Sequence, residues 1–488
     1  MHLTQVPDLS RAPNIERVNL EFCVRLIEVP SYFQHLKQLK ELSLVGCSSL
    51  CNLSPLPKNL IKLKVHTGPL ELEKSFCSLC GCQGSQRWFP SLDLSSKLER
   101  FPKVSENMEF VKILKLECLA IEELPVSMFE NLPGLERLSL HYCVNLAFLP
   151  DSIRSLSSLR KLNISFCEKL ESLPLLPSSI SVLDVTCCTS LKMVSSSIPL
   201  VKQNWDALYH RGYKKEVFNF LGCELLDENA RKVLMDEVLF RILRFATLFS
   251  KYGSNCGVDD ETLWLVYNRI VWPGSEIPRW FIHKSEGSSI CINLPYPTNQ
   301  WHNGSHLGLA SCVVVEFKDL LTARPSCFKL HWDSVFMFPN GDSRKHRQDV
   351  DHGFLYFLGR LRGFDACCNS TLSKDSWTDV LDSMNSEYVF VFTDKPYGQI
   401  LTPNDELSDQ NVNELTRTTT ACFSFNLDEE SKKFAKIKRC GVHLLYTQEA
   451  KRFGYLRRVA SESSEGEAVY SKSDQEEDEV PLLKRFRT

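Results

Sequence analysis

This sequence is marked first by what it lacks. Its opening residues, MHLTQVPDLS, carry no charged segment followed by an apolar core, so no secretory signal is read. No apolar run approaches the roughly 18–20 residues of a membrane span. An excess of one charge is also missing: 57 Lys+Arg face 60 Asp+Glu, a formal net charge of −3. That balance supplies no broad basic field for gripping phosphates, and nucleic acid is not an expected partner. No His-Glu-x-x-His, Gly-x-Ser-x-Gly or Gly-x4-Gly-Lys-Ser/Thr motif occurs, which excludes the chemistries those spacings serve. What is abundant is cysteine, with 20 in 488 residues. A cysteine-rich chain with no route into an oxidising compartment is expected to hold its thiols reduced, in the cytosol or the nucleus. The length predicts two to four domains.

Internal periodicity decides the fold class. With Leu135 as position 0, Leu138, Leu140, Cys143, Leu146, Leu149 and Pro150 fall at positions 3, 5, 8, 11, 14 and 15. The same spacing runs from Ile15 (Val18, Leu20, Cys23, Leu26), Leu39 (Leu42, Leu44, Cys47, Leu50), Leu159 (Leu162, Ile164, Cys167, Leu170) and Ile180 (Leu183, Val185, Cys188, Leu191). Val111 opens a copy in which Leu119 replaces the cysteine, and weaker copies open at Leu60 and Phe89. About eight copies, at steps of mostly 21 or 24 residues, predict a leucine-rich-repeat solenoid over residues 1–200. Positions 3 and 5 alternate inward along a short strand, position 8 turns the chain, and positions 11 and 14 return it over a core shared with the next coil. The ladder cysteines are therefore structural. Cys77, Cys80 and Cys82 have a zinc-like spacing but no matching Cys/His pair at finger distance, so they read as a variable loop.

Recognition on such a solenoid is expected from positions 2, 4 and 6, which point outward from the concave strands. The candidate protein-binding residues are Arg17, Asn19, Glu21, Glu41, Lys62, Lys64, His66, Asp93, Lys115, Glu117, Arg137, His141, Lys161, Asn163 and Asp184. Few of them should carry the binding energy.

After Val194 the repeat stops, and residues 201–262 read as a helical linker sealing the last coil. Asp227 can cap a helix in which Ala230, Val233, Leu234, Val238, Leu239, Ile242 and Leu243 recur at helical spacing. Over residues 263–450 short alternating runs take over, among them Ser311–Phe317, Tyr388–Thr393, Cys422–Leu427 and Gly441–Tyr446. They predict a mostly antiparallel β-sandwich, so the whole is an α/β leucine-rich-repeat solenoid of parallel strands followed by that sandwich.

Within this second part, Val271-Trp-Pro-Gly-Ser-Glu-Ile-Pro-Arg-Trp-Phe281, followed by Gly287-Ser288, resembles the opening of the post-repeat domain of plant Toll/interleukin-receptor-type nucleotide-binding leucine-rich-repeat (TIR-NBS-LRR) disease resistance proteins. That module is the C-terminal jelly-roll and Ig-like domain, C-JID. Lys438-Arg-Cys-Gly-Val-His-Leu-Leu-Tyr446 resembles its closing strand, and Phe220-Leu-Gly-Cys223 the joint before it, where the family usually has asparagine in place of Gly222. The resemblance covers roughly residues 1–450. It implies a jelly-roll/Ig-like sandwich in which Pro273, Gly274, Ser275, Glu276, Ile277, Pro278, Trp280, Phe281, Gly287 and Ser288 are structural. It also implies a protein partner, either a pathogen effector or another immune receptor, and a place in a larger receptor oligomer.

The residues for the family's NAD-cleaving domain and nucleotide switch have no counterpart here, so neither catalysis nor cofactor or metal binding is expected. The alternatives kept open are a fragment of an NAD-cleaving receptor and a scaffold or decoy for sister receptors. The repeats open mid-pattern at Leu3–Pro7, which is read as the downstream part of a larger receptor or a truncated relative. His302, His306, Asp351, His352, Cys367 and Cys368 carry no recognisable catalytic or metal spacing. Residues 451–488 read as a disordered charged tail in which, between Ser461 and Val480, eight acidic residues face one lysine. Arg457-Arg-Val-Ala-Ser461 has the form of a basic-directed phosphorylation site, and the basic clusters flanking the acids have the composition of a nuclear import signal.

Overall fold

The computed structural model describes residues 3–53, 55–67, 108–196, 215–252, 267–293, 306–320, 328–337, 343–349, 384–393 and 420–452. Eight short parallel strands open a thirteen-stranded sheet: β1 (Arg17–Asn19), β3 (Glu41–Val45), β5 (Lys62–His66), β6 (Ile113–Glu117), β7 (Arg137–Ser139), β8 (Lys161–Asn163), β10 (Val182–Asp184) and β12 (Lys215–Asn219). Two-residue strands pair on the return side of the coils, β2 (Glu28–Val29) with β4 (Asn52–Leu53) and β9 (Ser172–Leu173) with β11 (Met193–Val194). Register is strict: position 2 of every coil faces position 2 of the next, from Arg17↔Glu41 through to Val182↔Val217. The leucines at positions 3, 5, 11 and 14 are buried in one continuous core.

Two local devices make the coil. The ladder thiol at position 8 donates to the position 5 carbonyl of the preceding coil: Cys47 to Leu20, Cys143 to Leu116, Cys167 to Leu140, Cys188 to Ile164 and Cys223 to Val185, all at 3.1–3.3 Å. Position 7, just past the strand, is left-handed in seven coils, with φ from 56° to 76° at Phe22, Gly46, Cys118, Tyr142, Phe166, Cys187 and Gly222. Only glycine and, less well, asparagine adopt this region cheaply. Gly222 has a second constraint, because a Cβ there would lie 3.0 Å from Cys187 Sγ. Asparagine would suit the backbone but crowd that thiol.

Strands β5 and β6 pair directly, and the weak copy opening at Phe89, with its Asp93, lies outside the described residues. The repeat membership differs from the expected one in one described place: a coil begins inside the segment read as a helical linker. With Lys215 as position 0, Phe218, Phe220, Cys223 and Leu226 take positions 3, 5, 8 and 11 and are all buried. Aromatic residues in place of leucine, and a start 35 residues after Ile180, hid this coil from the periodicity.

The sheet does not end there. Strand β12 pairs in parallel with β13 (Tyr267–Pro273), which continues antiparallel through β19 (Glu387–Thr393), β16 (His306–Phe317), β21 (Ala435–Tyr446) and β14 (His283–Glu286). A second sheet, ordered β15 (Ser289–Asn293), β20 (Thr420–Leu427), β17 (Leu330–Met337) and β18 (Ser343–Asp349), completes the sandwich. The antiparallel runs named from the sequence are present, most of them longer than their alternating cores. The last coil is covered along its sheet edge by β13 as well as by a helix.

That helix, α1 (Glu228–Tyr252), starts at Asp227, whose side chain accepts the Ala230 N–H at 2.6 Å. Ala230, Leu234, Val238 and Ile242 pack into the solenoid core together with Ile270, Trp272, Ala310, Cys312 and Val389. A buried ion cluster fixes it. Arg244 donates to Glu216 of β12 and, at 2.7 Å, to the Ser178 carbonyl, while Arg241 bonds the Ile180 carbonyl at 2.8 Å and lies over the Phe218 ring. Burial pushes the Glu216 carboxyl up, and the two guanidiniums offset part of that. The short helix α2 (Thr447–Arg452) follows β21, with Ala450 in the same core.

The faces carry through the junction. Asn219, at position 4 on the concave face, is in register with Val271, and Val271 belongs to the second core with Leu309, Val313, Phe390, Trp332, Phe423 and Phe425. The concave face of the repeats thus becomes the interior of the sandwich. The expectation of reduced thiols needs one correction: Cys291 and Cys422, facing each other across β15 and β20, form a disulfide. Their registered positions bring the two sulfurs together on the sheet's outer face. The other described cysteines are free thiols.

Candidate functional site

On the concave face the strands place the expected residues in three columns of unequal character. Position 2 carries Arg17, Glu41, Lys62, Ile113, Arg137, Lys161 and Val182, all half-buried or exposed. Position 4 carries Asn19, Ser43, Lys64, Lys115, Ser139, Asn163 and Asp184, which are half-buried or exposed except for Ser139. Position 6 is different, because from the second coil onward it is buried: Val45, His66, Glu117, His141, Ser165 and Thr186. The position 7 ring of the next coil packs over it, as in the 5.6 Å edge contact of His141 with the Phe166 ring.

From His66 to Thr186 position 6 is polar, and its side chains bond from coil to coil. Ser139 donates to Glu117 at 2.6 Å, His141 Nδ1 lies 2.9 Å from the Ser165 hydroxyl, and His66 Nε2 lies 3.4 Å from Cys118 Sγ. Burial pushes the Glu117 carboxyl up, but Lys115 at 3.5 Å, the Ser139 hydroxyl, His141 and His66 together hold it below the usual carboxylate value. Asn19, Asn163 and Asp184 each accept the backbone N–H two residues on, at 2.9–3.2 Å. These three residues, read as outward contacts, also tie the strand end to its turn. Asn219 does the same for Leu221 in the coil that periodicity missed.

The surface left for contact is the pair of columns at positions 2 and 4, and its charge is sorted. At the first coils charges alternate and pair: Arg17 faces Glu41 at 3.8 Å, and Ser43 donates to Glu21 at 2.7 Å. From β5 to β8 it turns basic, with Lys62, Lys64, Lys115, Arg137 and Lys161 around the half-buried Ile113. Like charges stand directly opposite in two registered pairs, Lys64↔Lys115 and Arg137↔Lys161. Like charges side by side in a sheet cost stability, and Glu117 at 3.5 Å from Lys115 offsets part of that cost.

The motif residues lie elsewhere and pack. Ile277 and Phe281 enter the solenoid core, Trp280 stacks on Phe281 and donates to the Met235 carbonyl of α1 at 3.2 Å, and Gly274 N–H bonds the Glu387 carbonyl at 2.8 Å. Phe281 N–H closes on the Pro278 carbonyl, and Pro273 ends β13. Gly287, with φ 86°, and Ser288 form the corner where the chain leaves β14 for the second sheet at β15. Ser275 and Glu276 line an open cleft of about 530 Å³ with Arg279, Lys284 and Arg439. Among the described residues no group of three or more His, Cys, Asp and Glu is placed to hold a metal, and no helix is long and apolar enough to cross a membrane. Cys77, Cys80, Cys82, His302, Asp351, His352, Cys367, Cys368 and the acidic tail lie outside the described residues.

Comparison with known proteins agrees with this layout. The C-JID domain family matches residues 272–451, and the leucine rich repeat family matches residues 111–168. The disease resistance protein RPS4B of Arabidopsis thaliana is 29% identical over 390 residues, 73% of this chain and 31% of its own length. The disease resistance-like protein DSC1 of the same plant is 26% identical over 489 residues, 89% and 35% respectively. RPP2B, another disease resistance protein of that plant, is 28% identical over 298 residues, 60% and 22%. The chain spans about a third of the length of the first two. The leucine-rich repeat domain of the type III effector XCV3220 (XopL) is a distant structural neighbour, with a TM-score of 0.31 and 20% identity over 47% of this chain and 71% of its own, too distant to add to this. Repeats, sandwich and relatives agree: this chain carries leucine-rich repeats and a C-JID domain and is similar to the C-terminal part of the plant TIR-NBS-LRR disease resistance proteins.

Proposed function

We propose that the chain is a protein-recognition and regulatory module of plant innate immunity. In this reading it binds a pathogen effector or another immune receptor across positions 2 and 4 of the concave face, with loops of the sandwich beside them, and its role is recognition without catalysis. The observation that carries this reading is the basic centre of the concave face, where two like-charge pairs flank the half-buried Ile113. A surface that leaves its own charges adjacent gains when an acidic partner surface covers them, and an apolar residue inside a polar rim is the usual anatomy of an interface centre. The test is capture of candidate effectors and sister receptors by the chain before and after reversal of Lys115, Arg137 and Lys161 to glutamate. Loss of binding, with circular dichroism unchanged, is the expected result. A genuine ligand that binds the triple variant as well as the parent removes the concave face from the reading.

A further inference from the structure

We propose that the acidic tail of this chain docks on the basic centre of its own concave face. The surface consists of Lys62, Lys64, Lys115, Arg137 and Lys161, presented by four successive strands, with cross-strand neighbours of like charge and Ile113 in their midst. Glu117 lies 3.5 Å from Lys115, but that carboxylate also accepts the Ser139 hydroxyl and lies in the buried row below. The chain itself carries a polyanion. Glu462, Glu465, Glu467, Asp474, Glu476, Glu477, Asp478 and Glu479 stand in twenty residues with one lysine, and Ala468-Val469-Tyr470 supplies an apolar stretch beside two of the acids. An acidic segment with an apolar centre complements a basic ring with an apolar centre.

The tether is long enough. The tail leaves α2 beyond β21, and β6 is eight strand positions away along the sheet, about 38 Å at about 4.8 Å per strand. The 22 residues from 453 to 474 reach up to about 73 Å when extended at about 3.3 Å each. The surplus allows the tail to pass round the sandwich to the concave side. Because the segment is tethered, its local concentration at the face is in the millimolar range, so weak ion pairing keeps it there. A protein ligand for the same face must displace it. In that last consequence the inference rests on the proposed recognition role, whereas the docking does not.

The test uses the full-length chain alone and therefore stands apart from any partner. Carbodiimide coupling, which joins a carboxylate to a lysine only at direct contact, is followed by peptide mass mapping. The expected result is enrichment of links from Glu465–Glu479 to Lys62, Lys64, Lys115 and Lys161 over links to exposed lysines such as Lys112, Lys232 and Lys432. That enrichment should fall at least threefold between 20 mM and 1 M salt. It should vanish in a chain whose eight tail acids are changed to their amides, a variant that leaves every described residue untouched. Links spread over lysines in proportion to exposure, or persisting after Lys64→Glu with Lys115→Glu, overturn the proposal. So do links found only between two differently isotope-labelled chains. Should a protein ligand bind the concave face while no such links form, the recognition role stands and the docking fails.

Discussion

At the residue scale the coils are held by a repeated thiol at position 8 and a repeated left-handed backbone angle at position 7. From Cys47 onward each ladder thiol donates a hydrogen bond to a carbonyl of the preceding coil. Cys167→Ala removes that bond and leaves a small void, so a loss of about 1–2 kcal/mol is expected in urea unfolding. Burial pushes Cys47 and Cys143 up to about 12 from an ordinary 9.0. A thiol raised in the folded state contributes stability that is complete below about pH 9 and drains away as pH rises towards 12, because the unfolded chain releases its proton first. The urea midpoint should therefore fall between pH 8 and pH 10.5. It should fall less steeply when Cys47 and Cys143 are both alanine, and equal slopes would refute the assignment. The cysteine ladder is legible in the sequence; the left-handed position 7 is not, since phenylalanine, tyrosine and cysteine fill five of the seven places and glycine two. Gly222→Ala adds both an unfavourable φ and a Cβ against Cys187, and should cost about 1–2 kcal/mol by the same measurement.

At the element scale the strands of the repeats and sandwich were named from alternation, and α1 from its cap and period. What escaped was β12, because its aromatic core residues and its distance from the preceding coil break the leucine pattern, β13, whose Val271-Trp272 reads as a motif rather than as a strand, and β14 and β18, whose polar runs HKSE and SRKHRQD carry no apolar alternation. Glu216 shows why β12 matters. This acid sits in the solenoid core and is tolerated only because two arginines of α1 reach it. Arg244→Met removes one of those partners and leaves the carboxylate under-compensated, at a cost of about 3–5 kcal/mol. Replacing Glu216 by leucine in the same chain should recover a large part of that loss. A single-variant cost below about 1 kcal/mol in thermal or denaturant unfolding would show that the cluster does not hold the helix.

At the scale of the molecule, a solenoid and a sandwich are each legible in the sequence, but the sheet they share is not. Nothing in local periodicity says that β13 will lie beside β12, since that pairing spans some fifty residues of sequence. The candidate surface was narrowed in the same way: its columns at positions 2 and 4 were foreseen, but the burial of position 6 depends on neighbours a coil away. A shared ladder should make the junction strands open together. In native-state hydrogen exchange, the amides of β10, β12, β13 and β19 are expected to show one common opening free energy and one denaturant dependence. Separate values on either side of the β12–β13 pairing would mean two independent units.

The strict register of the strands has a further meaning for whatever lands on them. Because neighbouring rungs sit about 4.8 Å apart and none is skipped between β5 and β8, the surface is a ruler with one fixed graduation. A visiting chain whose charges recur at that pitch can meet every mark, whereas one with the same net charge at another pitch meets a single mark and misses the rest. Discrimination among ligands would then rest on spacing before it rests on composition.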